Sequence, residues 1–157
     1  MRALVTGGTG FIGGALARKL VELGWDVRLL TRASGKKLLT ELRSCRTFVY
    51  EFGRDRADRL AAAVEGCDAV FHAAAIRNRW GTPREAYDAV NVTGTSELLS
   101  ACRGRAGRFV YLSSVGVFGY PGIMGIDETS PVVADGSAGE YHLSKIAAEN
   151  LIRERAP

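Results

Sequence analysis

The chain has 157 residues, of which 46% are hydrophobic and 24% are charged, and its formal net charge is +4. This length fits one domain with its own buried core, and the composition is that of a globular protein. No apolar run reaches membrane-spanning length, and the N-terminus enters a strand pattern instead of a signal-peptide core. The sequence therefore predicts a cytoplasmic protein of one domain with no membrane partner.

The charged and sulfur-containing residues argue against two further classes. The basic residues are scattered and do not alternate with aromatic ones, so we expect an anionic small-molecule ligand and no nucleic acid. Cys45, Cys67 and Cys102 form no CxxC pair, so they are expected to be reduced and mostly buried. With two histidines in the chain, no metal site is predicted.

Short apolar runs alternate with helical patterns from end to end. Strands are predicted over 2–6, 27–31, 47–52, 69–73 and 109–113. Helices are predicted over 11–23, 56–65, 84–103 and from Ser137 or Gly139 onward, with a short helical stretch within 33–43 and a long loop over 115–138. Ser137 and Glu140 have capping-box spacing. Because strands that are apolar on both faces alternate with helices, the predicted fold class is α/β with a doubly wound parallel sheet.

The first strand leads into three glycines at the start of a helix. Gly7 permits a sharp turn off the strand, Gly10 permits close approach of a phosphate, and Gly13 permits the helix to pack closely. The unpaired N–H groups of the first helical turn then face an anion. The pattern predicts that a dinucleotide pyrophosphate binds at this loop.

The end of the second strand bears on the choice of cofactor. An acidic residue that would hold a ribose 2′-hydroxyl is expected where Thr31 stands, and Arg32, Lys36 and Lys37 follow it. A guanidinium binds a 2′-phosphate, so these residues favour NADP over NAD. The alternative is that they are solvated loop charges.

Two later strand ends carry further candidates. Asp55 could accept a hydrogen bond from an adenine amino group, or it could cap the helix that follows. Ala73, Ala74 and Ala75 suit close approach of a ligand, and tight packing alone also explains them.

The final helix carries Tyr141 and Lys145 on one face, one turn apart. An ammonium beside a phenol lowers the pKa of the phenol, which prepares Tyr141 to exchange a proton near neutral pH. Ser114 follows the fifth strand at the sheet edge where ligands bind, so it could hydrogen-bond the same substrate oxygen. The alternative is an ordinary surface tyrosine with a solvated lysine.

Six motifs along the chain follow one another in the order and spacing of a known protein family. They are Thr6-Gly-Gly-Thr-Gly-Phe-Ile-Gly13, Asp55 with Asp58, His72-Ala-Ala-Ala75, Asn91-Val-Thr-Gly-Thr95, Ser113-Ser-Val-Gly-Val-Phe-Gly119 and Tyr141-His-Leu-Ser-Lys145. With these motifs the chain resembles the extended short-chain dehydrogenase/reductase superfamily, in its NAD(P)-dependent epimerase/dehydratase group. The resemblance covers essentially all 157 residues and implies a Rossmann fold.

The resemblance also implies roles for individual residues. Tyr141 would be the catalytic acid/base, Lys145 its activator and a ribose ligand, and Ser114 the ligand of the substrate hydroxyl. The implied cofactor-binding positions are Gly7, Thr9, Gly10, Phe11, Ile12, Gly13, Arg32, Lys36, Asp55, Arg56, Ala73, Ala74, Ala75, Asn91, Ser113, Tyr141 and Lys145. The implied reaction is hydride transfer coupled to proton transfer through Tyr141.

The resemblance leaves several classes of substrate in place. Loops at 76–83 and 117–122 look most like those of sugar epimerases and of hydroxysteroid or flavonoid reductases. Ser114-Val-Gly116 lacks the carboxyl groups of the dehydratase branch, which argues against sugar dehydration.

Family members are about twice as long, so we expect the C-terminal strands and the substrate region to be absent. An unpaired sheet edge would then favour a homodimer. The alternative function is a non-catalytic dinucleotide sensor or assembly subunit.

Overall fold

The structure is a computed structural model that describes residues 1–33, 40–119, 125–134 and 139–155. Within these ranges the strands form one parallel sheet in the order β3-β2-β1-β4-β5. The strands are β1 (Arg2–Thr6), β2 (Asp26–Thr31), β3 (Arg46–Val49), β4 (Cys67–His72) and β5 (Ala106–Tyr111). The strand order reverses between β1 and β4, which confirms the doubly wound Rossmann class and places the ligand crevice at the carboxyl ends of those two strands.

Helical segments cover both faces of this sheet. The α-helices are α1 (Phe11–Glu22), α2 (Ala61–Val64), α3 (Arg84–Tyr87), α4 (Gly94–Cys102) and α5 (Gly139–Arg155). Short 3₁₀ turns occupy Thr40–Leu42, Ala57–Leu60 and Val115–Phe118, and a π-helical turn at Asp88–Thr93 joins α3 to α4. None of the described helices is long and apolar enough to cross a membrane.

The core has two halves because successive residues of the central strand point to opposite faces. In β1, Leu4 packs in one buried cluster with Val70 and Leu98, whereas Val5 packs in a second cluster with Leu20 and Leu29. Both β1 side chains are fully buried. This two-sided burial explains the unbroken apolar run of the first strand.

Several predicted boundaries need correction. β3 ends at Val49 instead of residue 52, because Tyr50 and Phe52 turn into the core and are only 2% and 7% exposed. β5 runs over Ala106–Tyr111 instead of 109–113, since Gly107 lies where a Cβ would stand 2.7 Å from the carbonyl oxygen of Asp68. A glycine is needed for that close strand approach, but in the sequence it suggests a loop.

The helical predictions also change in detail. The helix predicted over 84–103 is interrupted by the π-helical turn, and the one predicted over 56–65 is a 3₁₀ turn that continues into α2. The predicted cap at Ser137 lies outside the described residues, as does most of the basic stretch at 33–43. The three cysteines are free thiols, with Cys67 and Cys102 buried.

Candidate cofactor and active site

The glycine loop turns off β1 at the reversal of the sheet. Gly7 has a φ of +72°, a left-handed conformation that favours glycine. The N–H of Gly10 donates to the carbonyl oxygen of Gly7 over 2.8 Å, which closes the turn. A Cβ at Gly13 would overlap the same carbonyl group. The structure therefore gives Gly7 and Gly13 the backbone roles that the sequence predicts.

The start of α1 has the features of an anion-binding helix N-terminus. Gly10 occupies the cap position, no side chain caps this end, and no acidic residue lies in the first turn. The first N–H groups of a helix lack intrahelical acceptors and carry the positive end of the helix dipole. The side chains of Phe11 and Ile12 are 96% and 59% exposed, so they leave the loop uncovered. This cradle fits a pyrophosphate.

The end of β4 lies directly against the loop. The backbone N–H of Ala74 donates to Thr6 Oγ1 over 3.0 Å. A Cβ at Gly7 would stand 3.0 Å from the Ala74 nitrogen and 3.1 Å from the Ala73 carbonyl carbon. Residues far apart in sequence thus line one crevice, and the small side chains of 73–75 keep it open.

The candidates for the adenosine half of a cofactor lie at the ends of β2 and β3. Arg32 is exposed immediately after β2 and makes no ion pair with the described residues, while Lys36 lies outside them. Arg56 is exposed and lies 3.5 Å from the carboxylate of Asp58. No described residue pairs with the Arg32 guanidinium, which is exposed to solvent.

Asp55 has a different structural role from the predicted helix cap. Its carboxylate accepts a hydrogen bond from the N–H of Glu51 over 2.7 Å and pairs with Arg59 at 3.1 Å. The cap position of the following 3₁₀ turn is Arg56, and no side chain caps that turn. Asp55 therefore closes the turn that precedes it, because its carboxylate reaches back four residues. Contact with an adenine stays a prediction.

Tyr141 and Ser114 meet at the carboxyl edge of the sheet. Ser114 follows β5, and its side chain hydrogen-bonds with the hydroxyl of Tyr141 from the first turn of α5. Ser114 Oγ also accepts from the N–H of Gly116 over 3.2 Å. The ring of Tyr87 packs edge-on against Tyr141 with centroids 6.1 Å apart. The structure thus joins two predicted catalytic side chains, while Ser113 beside them is exposed.

The ammonium of Lys145 is bound to the backbone after β5. It donates to the carbonyl oxygen of Leu112 over 2.8 Å and lies 4.6 Å from the ring centroid of Tyr111. The side chain is buried, and burial lowers the pKa of Lys145 to about 8. The group still carries a proton at neutral pH.

The expected lowering of the phenol pKa is wrong for this structure. Burial raises the pKa of Tyr141 above its ordinary value, nearby Tyr87 adds to that rise, and the hydrogen bond from Ser114 only partly offsets it. The ammonium of Lys145 is bound to the Leu112 carbonyl after β5, a partner that helical spacing does not reveal.

Asn91 uses its side chain on the protein itself. Its Oδ1 accepts from the N–H of Ile76 over 2.8 Å, while Nδ2 donates to the Ile76 carbonyl over 3.0 Å and to Ser144 Oγ over 2.9 Å. Asn91 is 1% exposed. It thereby anchors the loop after β4, and direct contact with a cofactor stays a prediction.

A buried polar cluster beneath the site was missed. His72, Thr6 and Thr95 are each at most 1% exposed and are bonded to one another through the imidazole. The available signal was the presence of hydroxyl and imidazole side chains within otherwise apolar strands and helices, because buried polar groups need partners.

A parallel sheet with a glycine loop at its reversal defines the class of nucleotide-binding Rossmann folds. The chain belongs to the NAD dependent epimerase/dehydratase family, whose model matches residues 3–156. This family membership confirms the resemblance found in the sequence.

Relatives with different substrates share this half of the fold. A 3 beta-hydroxysteroid dehydrogenase/Delta 5-->4-isomerase of Mycobacterium tuberculosis is 41% identical, with 96% of this chain and 42% of the relative covered. A 2-alkyl-3-oxoalkanoate reductase of Stenotrophomonas maltophilia is 41% identical over 74% of this chain and 34% of the relative. A short-chain dehydrogenase/reductase superfamily protein from Agrobacterium tumefaciens, solved with bound NAD, superposes with a TM-score of 0.79 at 30% identity, covering 98% of this chain and 44% of that one. The chain spans less than half the length of these relatives.

Proposed function

We propose that residues 1–157 form one NADP(H)-binding Rossmann domain of a reductase or epimerase. The observation that carries the proposal is the joint placement of the open glycine cradle and the Tyr141–Ser114 pair at one sheet edge. Relatives named as steroid dehydrogenases and oxoalkanoate reductases support a small-molecule substrate with a hydroxyl or carbonyl group.

The cofactor would lie across the sheet reversal. Backbone N–H groups at Phe11 and Ile12 would hold the pyrophosphate, since the N–H of Gly10 already donates to Gly7, and residues 73–75 would line the nicotinamide half. Arg32 would bind the 2′-phosphate of NADP, since its guanidinium is exposed and unpaired within the described ranges. The cytoplasm, where this cofactor pool is available, is the proposed location.

In this proposal, the bound nicotinamide supplies or accepts a hydride. Tyr141 transfers a proton to or from the substrate oxygen, and Ser114 positions that oxygen by a hydrogen bond. Lys145 is protonated at neutral pH and supplies positive charge that favours the phenolate once a ligand draws its ammonium from the Leu112 carbonyl.

A titration of NADPH and NADH against the purified chain tests the cofactor assignment. We expect NADPH to bind more tightly, and Arg32→Ala to remove about 1.5–3 kcal/mol of the preference, as for a charge-assisted hydrogen bond. Arg103→Ala is the matched control, because Arg103 is exposed after α4, at the opposite edge of the sheet. Equal affinities for the two nucleotides before and after the Arg32 change would refute the NADP assignment.

A dinucleotide sensor without catalysis is the second candidate. The raised pKa of Tyr141 and the binding of Lys145 to Leu112 favour it, because the proton-transfer pair is not assembled. Oxidation of NADPH in the presence of ketone and β-oxo acid substrates separates the two functions. Turnover that depends on Tyr141 excludes the sensor, whereas cofactor binding without turnover of any such substrate supports it.

A homodimer is proposed from β5, one of the two edge strands of the described sheet. Among the described residues β5 pairs only with β4, so its outer N–H and C=O groups have no strand partner. Sedimentation equilibrium of the chain should give twice the monomer mass of 16.9 kDa. A monomer at concentrations up to 100 times those used for cofactor titration would contradict it.

A further inference from the structure

A continuous chain of hydrogen bonds runs through the buried cluster under the site. The N–H of Ala74 donates to Thr6 Oγ1 over 3.0 Å, and Thr6 Oγ1 lies 2.8 Å from His72 Nδ1. On the other side of the imidazole, Nε2 lies 3.0 Å from Thr95 Oγ1, which donates to the Asn91 carbonyl oxygen over 2.6 Å.

The direction of every bond in this chain is determined. Thr95 has one hydroxyl proton, and a 2.6 Å contact with a carbonyl oxygen requires that proton. Thr95 Oγ1 must therefore accept from His72, which places the imidazole proton on Nε2. His72 Nδ1 is then an acceptor, and the hydroxyl of Thr6 donates to it.

The environment of His72 keeps its imidazole neutral. Its ring packs among Phe52, Phe109 and Tyr111, with centroids 5.4 to 6.0 Å apart. Burial and the nearby charge of Lys145 lower the pKa of His72 to about 3. A charged imidazole would also have two donors and no acceptor for the Thr6 proton.

This chain ends at the backbone carbonyl of Asn91, and the side chain of the same residue makes a second set of hydrogen bonds that leads to α5. The Asn91 side chain donates to Ser144 Oγ over 2.9 Å, and Ser144 Oγ donates to the carbonyl oxygen of Tyr141 over 2.6 Å. The carbonyl of Asn91 that accepts from Thr95 lies in the π-helical turn. The series thus begins at the amide of Ala74 beside the glycine loop and ends in the first turn of α5.

Both ends of the series are backbone groups, an amide N–H and a carbonyl oxygen. Neither exchanges a proton with substrate, so the series cannot act as a proton relay. Its remaining capacity is to fix distances, since each bond has one allowed direction and one set of partners.

We propose that His72 is a positioning residue that sets the placement of Tyr141 relative to the cofactor-binding ends of β1 and β4. The inference rests on the proposed function, because it assigns the two ends of the series to cofactor and acid/base. Thr6 and Thr95 act with His72, as the hydroxyls that orient the ring. His72 itself touches neither cofactor nor substrate.

The tautomer is tested by long-range ¹H–¹⁵N NMR of the labelled chain at neutral pH. We expect His72 to show a protonated Nε2 and a bare Nδ1, and His142→Gln assigns the signals because the chain has two histidines. This measurement does not depend on cofactor binding, so it stands if the proposed function fails. A ring protonated on Nδ1, or on both nitrogens, would overturn the proposal.

Positioning is tested with Thr95→Val and its conservative partner Thr95→Ser. The valine removes the acceptor of His72 and the donor to Asn91 at nearly constant volume, so the amide resonances of residues 141–145 should shift. The affinity for NADPH should fall about tenfold, because a displaced first turn of α5 no longer holds Tyr141 and Lys145 at the cofactor-binding edge of the sheet. The serine should restore both readouts. Thr93→Val is the control, because Thr93 is exposed in the same π-helical turn.

Two further variants separate the halves of the series if Thr95→Val does not fold. His72→Gln keeps a donor near Nε2, and His72→Asn keeps an acceptor near Nδ1. We expect the glutamine to preserve the resonances of α5 and the asparagine to preserve those of the glycine loop. If both variants disturb both regions equally, or if Thr95→Val leaves residues 141–145 and NADPH affinity unchanged, His72 is a core residue without a positioning role.

Discussion

The glycine loop at 7–13 is shaped by backbone atoms, whereas the Tyr141 end of the site is shaped by side chains from three elements. In the loop, one Gly7 carbonyl accepts from Gly10 and contacts Gly13. At the other end, Tyr141 bonds to Ser114 while Lys145 bonds to Leu112. A backbone cradle is complete once the sheet forms, but a proton-transfer pair also depends on charges that a ligand can redirect. The two ends therefore respond differently to substitution.

Tyr141→Phe should have the largest effect, and only on turnover. Loss of the acid/base should lower kcat by about 10²–10⁴-fold in a form of the protein that turns over substrate, with NADPH affinity nearly unchanged. Absorbance of NADPH follows the reaction. Tyr87→Phe is the control, because the Tyr87 hydroxyl bonds to the backbone of Arg79 and its ring contact is retained. Similar losses in both variants would remove Tyr141 from proton transfer.

Gly13→Ala should damage both folding and binding. The added methyl meets the Gly7 carbonyl, and such overpacking costs about 1–3 kcal/mol of unfolding free energy. NADPH affinity should fall by about tenfold or more as the loop shifts. Urea unfolding and fluorescence titration measure the two effects.

Substitutions at two other glycines separate the two effects expected at Gly13, the loss of stability and the loss of binding. A Cβ at Gly10 meets only the Gly7 oxygen, at 3.1 Å, so Gly10→Ala should weaken binding much more than stability. Gly24 has a φ of +78° with open space around it, so Gly24→Ala should lower stability by about 1 kcal/mol and leave binding intact. If all three variants lose affinity equally, the loop is not the phosphate site.

Lys145→Met should change how stability depends on pH. The lysine has a pKa of about 8 in the fold and 10.5 in the unfolded chain, so the unfolded chain binds more protons between these values. The wild-type chain should therefore gain stability relative to the methionine variant as pH rises from 8 toward 10. Denaturant unfolding at pH 7 and 9.5 measures the difference. A gap that is constant with pH would show that the fold does not lower the pKa of Lys145.

Trp80→Phe should have the smallest effect. Trp80 is fully exposed, whereas Trp25 is half-buried with its ring centroid 6.4 Å from that of Phe71. Trp80→Phe should leave the unfolding free energy within about 0.5 kcal/mol of wild type, while Trp25→Phe should lower it by about 1 kcal/mol. The emission spectrum of each variant assigns the exposed and buried fluorophores. A large loss of stability at Trp80 would place that loop within the fold.

The sequence predicted the structure best at positions where only one residue type is sterically possible. Gly7 and Gly13 predicted the loop because only glycine tolerates that turn and that contact. The alternation of apolar strands with helices predicted the parallel sheet. The start of β5 was not predicted, because Gly107 resembles a loop residue in sequence.

Side-chain contacts over long sequence separations were less accessible. Spacing placed Tyr141 and Lys145 on one helix, but the partner of Lys145 is a carbonyl after β5, which periodicity does not reveal. The carboxylate of Asp55 bonds to the N–H of Glu51 and to Arg59, and it does not cap the turn that follows. The bonds of His72 join residues 23 and 66 positions away.

The carbonyl of Gly7 also has an evolutionary consequence. Because main-chain atoms form the loop and a Cβ at Gly7 or Gly13 would meet backbone atoms, these two glycines cannot vary without loss of the loop itself. Diversification can then occur at exposed positions, such as Arg32 after β2 or the segment around Trp80. An engineer who wishes to exchange one nucleotide for another should leave residues 7–13 untouched and randomise the end of β2.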